Sequence, residues 1–418
     1  MSSTIAVEEL RIGTFVQLEG GWLSHPFPLS SFRIVGEDQI AALRRLGLRE
    51  LRWVPERSLL ADGGIHPVAA AGASQKVDAT PLPAQQRRRD LQTQRELIQR
   101  CERQHADAAK SWREAFDGVG TSPHETALGA QNLTQAMLDN MLEAQEVGVR
   151  LVAGGGDRAA AHALNVGIIS LLMARTLGMP ENELLDLGVG ALLHDVGKTE
   201  VADRFRHAEE GFSSSELNAY RDHVSKGVAL GRRMGLSAGA LSVLAQHHEH
   251  ADGSGFPLQC GGESLSRGAR IVALVNRYDK LCNPQARTLS LTPHEAVSVL
   301  FSQGRQRFDA VVLNAFIRMM GVYPAGSLVQ LTDDRFGLVV GVNSSRPLKP
   351  RVLVHEPKLP RSEALVLDLE RTPNLGIRRS LPANKLPTAA IDFLDPRPRV
   401  NYYFEPLLSP VPDEEGGR

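Results

Sequence analysis

Apolar positions change their rhythm several times along this chain. Between Ile5 and about Pro67 they come in short runs, "TFVQL", "FRIV" and "LRWVP". These surround one stretch, "EDQIAALRRLGL", in which Ile40, Leu43 and Leu46 recur at helical spacing. This pattern predicts a small α+β module over residues 1–67. Composition then turns to Ala, Gly, Ser and Pro as far as about Pro83, which reads as a linker. The segment "RRRDLQTQRELIQRCERQHADAAKSWREAF" is long, charged and free of Gly and Pro until Gly118, so an exposed helix is expected. A second helix is expected from Ser122, its cap, and Pro123, its first residue, running towards Val152. Residues 68–153 are thus a linker and two long helices, candidates for signal transmission or the contacts of a homodimer. From Asp157 to about Val322 the pattern is almost wholly helical, giving an all-α domain over 154–322. After Tyr323 short β-branched runs, "SLVQL", "FGLVVGV", "RVLVHE" and "ALVLDL", alternate with turn residues and predict a β-rich appendage over 323–418 with a disordered tail.

Bulk composition narrows the partners without naming one. Of 418 residues 42% are hydrophobic and 23% charged, ordinary values for soluble globular chains. A formal net charge of -1 gives no global attraction to nucleic acid or anionic lipid, so an anionic ligand must be held by local groups. The triple arginine Arg87 to Arg89 reads as a solvated face. Cys101, Cys260 and Cys282 form no close pair, which argues against a disulfide framework and a zinc knuckle. The first residues lack a basic start followed by an apolar run, and no run of about 18 apolar residues occurs. A soluble, cytoplasmic protein without a membrane span is expected.

Chemistry concentrates in the helical segment. His162, the adjacent pair His194 and Asp195, His223, and the adjacent pair His247 and His248 are spread over four or five predicted helices of one domain. Neighbours on a helix point about 100° apart, so adjacent pairs such as His194 and Asp195, or His247 and His248, straddle two ions more readily than they chelate one. Histidine with carboxylate suits iron, manganese or zinc, and the absence of nearby thiolates argues against a structural zinc site. His162 and Asn165 share a helix face. Lys198, four residues beyond His194 and three beyond Asp195, shares the face of both, and a lysine there points to an anionic ligand such as a phosphate.

The order "HALN" at 162–165, "HDVGK" at 194–198, "RDHV" at 221–224 and "HHEHADGSGFP" at 247–257 resembles the HD-GYP domain, a branch of the HD phosphohydrolases. "LRIGTFVQLEGGWLSHPFPLSSFRI" is similar to the module that commonly precedes such domains in bacterial proteins. The resemblance implies a mainly α protein, an all-helical HD-type metal-dependent phosphohydrolase between a small α+β module and a small β-rich segment. It implies hydrolysis of cyclic di-GMP in second-messenger signalling, with protein partners of that pathway and no nucleic-acid polymer. Two divalent transition ions, iron or manganese, would be held by His162, His194, His223, His247 and His248, with Asp195 bridging. Asp195 and Lys198 are the candidate catalytic residues; Lys198, Asp279 and Arg287 are the candidate substrate-binding residues.

Four positions depart from the family pattern. Asn276 stands where the family places a last aspartate ligand, and an amide oxygen binds a hard ion without charge. Arg158 occupies the place of a glutamate that serves a third ion in some members, which implies two ions and linear pGpG as product. Gln285 stands near a usual arginine, for which Arg287 is the candidate substitute. Phe256 replaces the tyrosine of the signature loop. A catalytically degenerate cyclic di-GMP receptor or partner-binding module, and an HD phosphohydrolase acting on another nucleotide, are the alternative readings.

Overall fold

The computed structural model describes residues 3–17, 31–34, 40, 43–44, 50–54, 58, 84–143, 146–154, 156–207, 211–285, 289–342, 349–372 and 374–406. They fall into two compact units, 1–81 and 82–418. The expected linker at 68–83 and the expected disordered tail, the final ten or so residues, both lie outside the described residues.

In the first unit, strands β1 (Ser3–Ala6), β2 (Phe15–Gln17), β3 (Ser31–Arg33) and β4 (Glu50–Trp53) form an antiparallel sheet in the order β1-β4-β2-β3. Val7, Leu10, Val16, Ile34, Ile40, Leu43 and Leu51 make its core. Ile40 and Leu43 are thus core residues as their spacing predicts, while Leu46 lies outside the described residues.

The second unit opens with helices α1 (Ala84–Asp117) and α2 (Pro123–Leu142). The first is not simply an exposed helix. Cys101, Ala108 and Trp112 on one side are buried in the main core, and the Trp112 indole donates to the Leu192 carbonyl at 3.1 Å. Residues Val147–Val152 form strand β5 rather than the end of a helix. The run "VGVRLV" alternates only weakly because both faces are covered, with Val147, Gly148, Val149, Arg150 and Val152 all buried, and a short apolar run of this kind carries no helical period.

Eight further helices follow: α3 (Arg158–Thr176), α4 (Glu181–Leu193), α5 (Ser214–Met234), α6 (Ala238–Gln246), α7 (Arg267–Cys282), α8 (Pro293–Gln303), α9 (Ala310–Met320) and, within the β-rich end, α10 (Thr388–Leu394). Their starts are written in the sequence. Asp157 accepts from the Ala159 amide at 2.9 Å, and Ser213 with Glu216 forms a reciprocal capping box at the start of α5. Helix α5 ends at Gly235, whose φ of 74° suits a left-handed C-terminal turn. Among the described helices, α3 alone is long and apolar enough to cross a membrane by length and composition, and most of it is enclosed within the unit.

The β-rich end is not an appendage. Strands β6 (Leu328–Leu331), β7 (Phe336–Val342), β8 (Arg351–Val354), β9 (Val366–Asp368), β10 (Ile377–Ser380) and β11 (Asn401–Pro406) join β5 in one sheet, ordered β10-β6-β7-β5-β11, with β8 on β7 and β9 on β8. All six residues of β5 pair with β11, Val147 opposite Pro406 and Val152 opposite Asn401. Helices and strands contribute to one hydrophobic core, so the expected divisions at 153 and 322 do not separate independent bodies. Asn165, fully buried on α3, accepts from the Tyr402 amide at 3.0 Å and donates to the Val400 carbonyl at 2.9 Å, tying the last strand to the helix that carries His162.

Candidate metal centre and its cavity

Helix α4 ends at His194, Asp195 follows, and a 3-10 turn over Val196–Glu200 carries Lys198. Within that turn Gly197 lies so close to α5 that an added Cβ would fall 1.9 Å from the His223 carbonyl oxygen. Only a bare backbone lets the Asp195 turn and His223 approach each other. The glycine-rich loop after His248 has a similar cause: a Cβ on Gly255 would lie 2.4 Å from the Glu249 Cα, and buried Glu249 accepts the Leu258 amide at 2.6 Å. This loop stacks Phe256 on the His248 imidazole at 4.5 Å, with the Arg221 guanidinium 5.2 Å from the phenyl ring.

Four histidines are oriented alike. The Nδ1 atoms of His194, His223 and His247 donate to the carbonyls of Ala191, Tyr220 and Leu244 at 2.7, 2.6 and 2.8 Å, and His162 Nδ1 meets Asp279 Oδ2 at 2.6 Å. A carbonyl can only accept, so in those three rings the proton sits on Nδ1 and Nε2 presents a lone pair. These lone pairs converge: His162 Nε2 is 3.2 Å from His194 Nε2, and His223 Nε2 is 3.3 Å from His247 Nε2. Two acceptors at such distances repel unless a cation is shared between them.

Asp195 divides the set. Its Oδ2 lies 3.6 Å from His162 Nε2 and 3.4 Å from His194 Nε2, whereas Oδ1 lies 3.5 Å from His223 Nε2 and 3.7 Å from His247 Nε2. Two groups follow, His162, His194 and Asp195, and Asp195, His223, His247 and His248, in each of which the potential ligand atoms lie within 4.8 Å of one another. Oδ1 of Asp195 and Oδ1 of Asn276 are buried without a hydrogen-bond partner. Unpaired buried oxygens among inward-facing imidazoles are the donor set a divalent transition ion requires.

Electrostatics keeps the donors ready. Burial drives the pKa of His194 down to about 4 and that of His223 to about 3, and lowers His247 and His248 as well. All four are neutral at physiological pH, with a lone pair free for an ion. Burial alone would raise the Asp195 carboxyl, but Lys198, His194 and Lys280 outweigh it and hold the group well below its ordinary range. The Lys198 ammonium lies 2.6 Å from Asp195 Oδ2.

These groups line a cavity of about 810 Å³. Asp279 also borders it but is not placed to bind a ligand: Oδ2 takes His162, and Oδ1 takes the amides of Asn165 at 2.7 Å and Asn283 at 2.8 Å, leaving the residue 1% exposed. It is a positioning group for His162, a correction to the substrate-binding role expected from sequence. Arg287 lies outside the described residues. Arg158 donates to the carbonyls of Pro284 at 2.7 Å and Gln285 at 3.2 Å, anchoring the stretch that borders the cavity next to Gln285. Sequence reasoning missed Lys280, Arg277 and Arg307, which also line the cavity. Lys280 follows Asn276 by four residues, a register that could have revealed it; Arg307 sits between α8 and α9 and has no local signal.

The chain is similar to known domains and proteins. A model described as an HD domain matches residues 146–312, and a domain of unknown function matches residues 2–126. The chain is 28% identical over 368 residues to a cyclic di-GMP phosphodiesterase of Pseudomonas aeruginosa, covering 85% of each. It is 28% identical over 151 residues to a 3'3'-cGAMP-specific phosphodiesterase of Vibrio cholerae, covering 36% of this chain and 29% of that one. Among solved structures, an HDG"Y"P protein of Bdellovibrio bacteriovorus is similar over 76% of this chain and 98% of its own, with a TM-score of 0.39 and 15% identity. Residues 146–312 thus match an HD domain, within which the histidine motifs and the inward-facing imidazoles all lie, and residues 2–126 match a module of unassigned function.

Proposed function

We propose that the chain is a cytoplasmic phosphodiesterase that hydrolyses cyclic di-GMP to linear pGpG, using two divalent ions, iron or manganese. One observation carries this reading: the two oxygens of Asp195 each face their own set of imidazole Nε2 atoms, the arrangement a carboxylate bridging two ions needs. When bound, such ions lower the pKa of a water and stabilise charge on the attacking and leaving oxygens of a phosphoryl centre. His162 and His194 with Asp195 would hold one ion, and His223, His247 and His248 with Asp195 would hold the other, to which Asn276 would offer a neutral amide oxygen. Lys198, beside Asp195 and on the cavity wall, holds a non-bridging oxygen of the phosphate being cleaved. Arg158 brings a cation where a third ion would need an anion, which favours one cleavage and pGpG over GMP. The extensive relative in Pseudomonas supports cyclic di-GMP, and the unpaired cysteines are in keeping with a reducing compartment.

Neutral Asn276 favours a second reading, a receptor that binds the nucleotide without turnover. Chromatography of the products formed by anaerobically iron- or manganese-loaded protein separates the two. Accumulating pGpG, absent in Asp195→Ala, supports the enzyme. Tight nucleotide binding with metal bound and no product makes the chain a receptor, and preferred cleavage of 3'3'-cGAMP reassigns the substrate.

A further inference from the structure

A cyclic dinucleotide carries two phosphodiesters, and a site that cleaves one must also accommodate the charge of the other. Lys198 already lies against Asp195 in the metal centre. On α7, one turn beyond Asn276, Lys280 places its ammonium nitrogen on the same cavity, buried and without a hydrogen-bond partner. A buried ammonium with nothing bound to it is costly, and the carboxylates nearest to it are engaged elsewhere. Asp279 is saturated by His162, Asn165 and Asn283, and Asp195 is paired with Lys198 through Oδ2 and turns Oδ1 to His223 and His247. Arg277, three residues before Lys280 and so on a neighbouring face of α7, borders the cavity too, as does Arg307 from the stretch between α8 and α9. Both are exposed. No ion pair with a carboxylate occurs at Arg277, Lys280 or Arg307 among the described residues, whereas Arg206 pairs with Asp203 and Arg158 holds carbonyl oxygens.

We propose that Lys280, with Arg277 and Arg307, forms a second phosphate subsite that holds the phosphodiester not being cleaved and so selects two-phosphate rings over simple diesters. This rests on the phosphodiester-hydrolase reading above. Lys280 supplies the buried charge, and the two arginines supply forked donors at the exposed side.

The test compares Lys280→Met, Arg277→Gln and Arg307→Gln with the unaltered full chain, all manganese-loaded, on cyclic di-GMP and on bis(p-nitrophenyl) phosphate, a diester with one phosphate. The ratio of kcat/KM for the ring to that for the simple diester is expected to fall at least tenfold in Lys280→Met, and several-fold in each arginine variant, mainly through KM for the ring. Lys280→Arg, which keeps the charge, is expected to recover part of the ratio. An unchanged ratio, whether both activities persist or both fall together, overturns the subsite, because a damaged fold or metal centre would lower the two alike. If the unaltered chain turns over neither compound, the hydrolase reading fails. Calorimetric binding of cyclic di-GMP then decides the subsite: weaker binding in Lys280→Met supports it, and unchanged or absent binding overturns it.

Discussion

Both carboxylate oxygens of Asp279 are taken by protein donors, and its hydrogen bond to His162 fixes which nitrogen of that imidazole faces the metal centre. Asp279→Asn keeps the shape and removes the charge. It is expected to cost roughly 10–100-fold in metal affinity or activity, the usual effect of losing a partner behind a metal-binding histidine. A manganese titration checks this, and unchanged affinity would mean that packing alone orients His162. Asn276 gives the converse case. Its buried, unpartnered oxygen is neutral, so Asn276→Asp is expected to tighten metal binding on the order of tenfold by adding ligand charge. No gain would place residue 276 outside the ligand set. The histidines and Asp195 were legible in the sequence because each motif is local. The job of Asp279 was not, because its partner His162 is 117 residues away and only the packing of α3 against α7 joins them.

Elements set these residues in register through close backbone approaches. Gly197→Ala would drive a methyl group into the His223 carbonyl and push the Asp195 turn off α5. About 1–3 kcal/mol of lost stability is expected from such overpacking, together with weaker metal binding, read by thermal unfolding with and without manganese. Wild-type behaviour in both would show that the turn can move freely. Helix α1 makes a separate prediction. His105, 5% exposed and set edge-on to Tyr403, has its pKa lowered by burial to about 4. The folded state therefore refuses a proton that the unfolded chain accepts below about pH 6.5, so stability is full above that value and falls as the pH drops towards 4. His105→Phe is expected to remove about 2 kcal/mol of the loss between pH 7 and pH 5, measured by urea unfolding at each pH. An unchanged slope would mean that His105 is protonated in the fold. The helices carrying the metal centre were legible from caps and period. Strand β5 was not, because its partners β11 and β7 lie far along the chain and burial on both faces erases the alternation that marks a strand.

Across the second unit, the last strand closes the core that holds the metal centre. Glu405, fully buried on β11, pairs with Arg150 on β5 at 2.7 Å and with Arg351 on β8. Glu405→Gln would leave two arginines without their charge partner, and about 3–5 kcal/mol of destabilisation is expected, seen as a lower thermal midpoint of the unit. Little change would mean that water or other groups meet those charges. The central claim is more local: one carboxylate, Asp195, joins two ion positions defined by separate sets of imidazoles. Electron paramagnetic resonance of the manganese-loaded chain, with metal quantified per molecule, tests it most directly. The account predicts about two ions per chain and the multiline signal of an exchange-coupled pair, lost in Asp195→Ala. A single ion per chain with the spectrum of isolated manganese would contradict it.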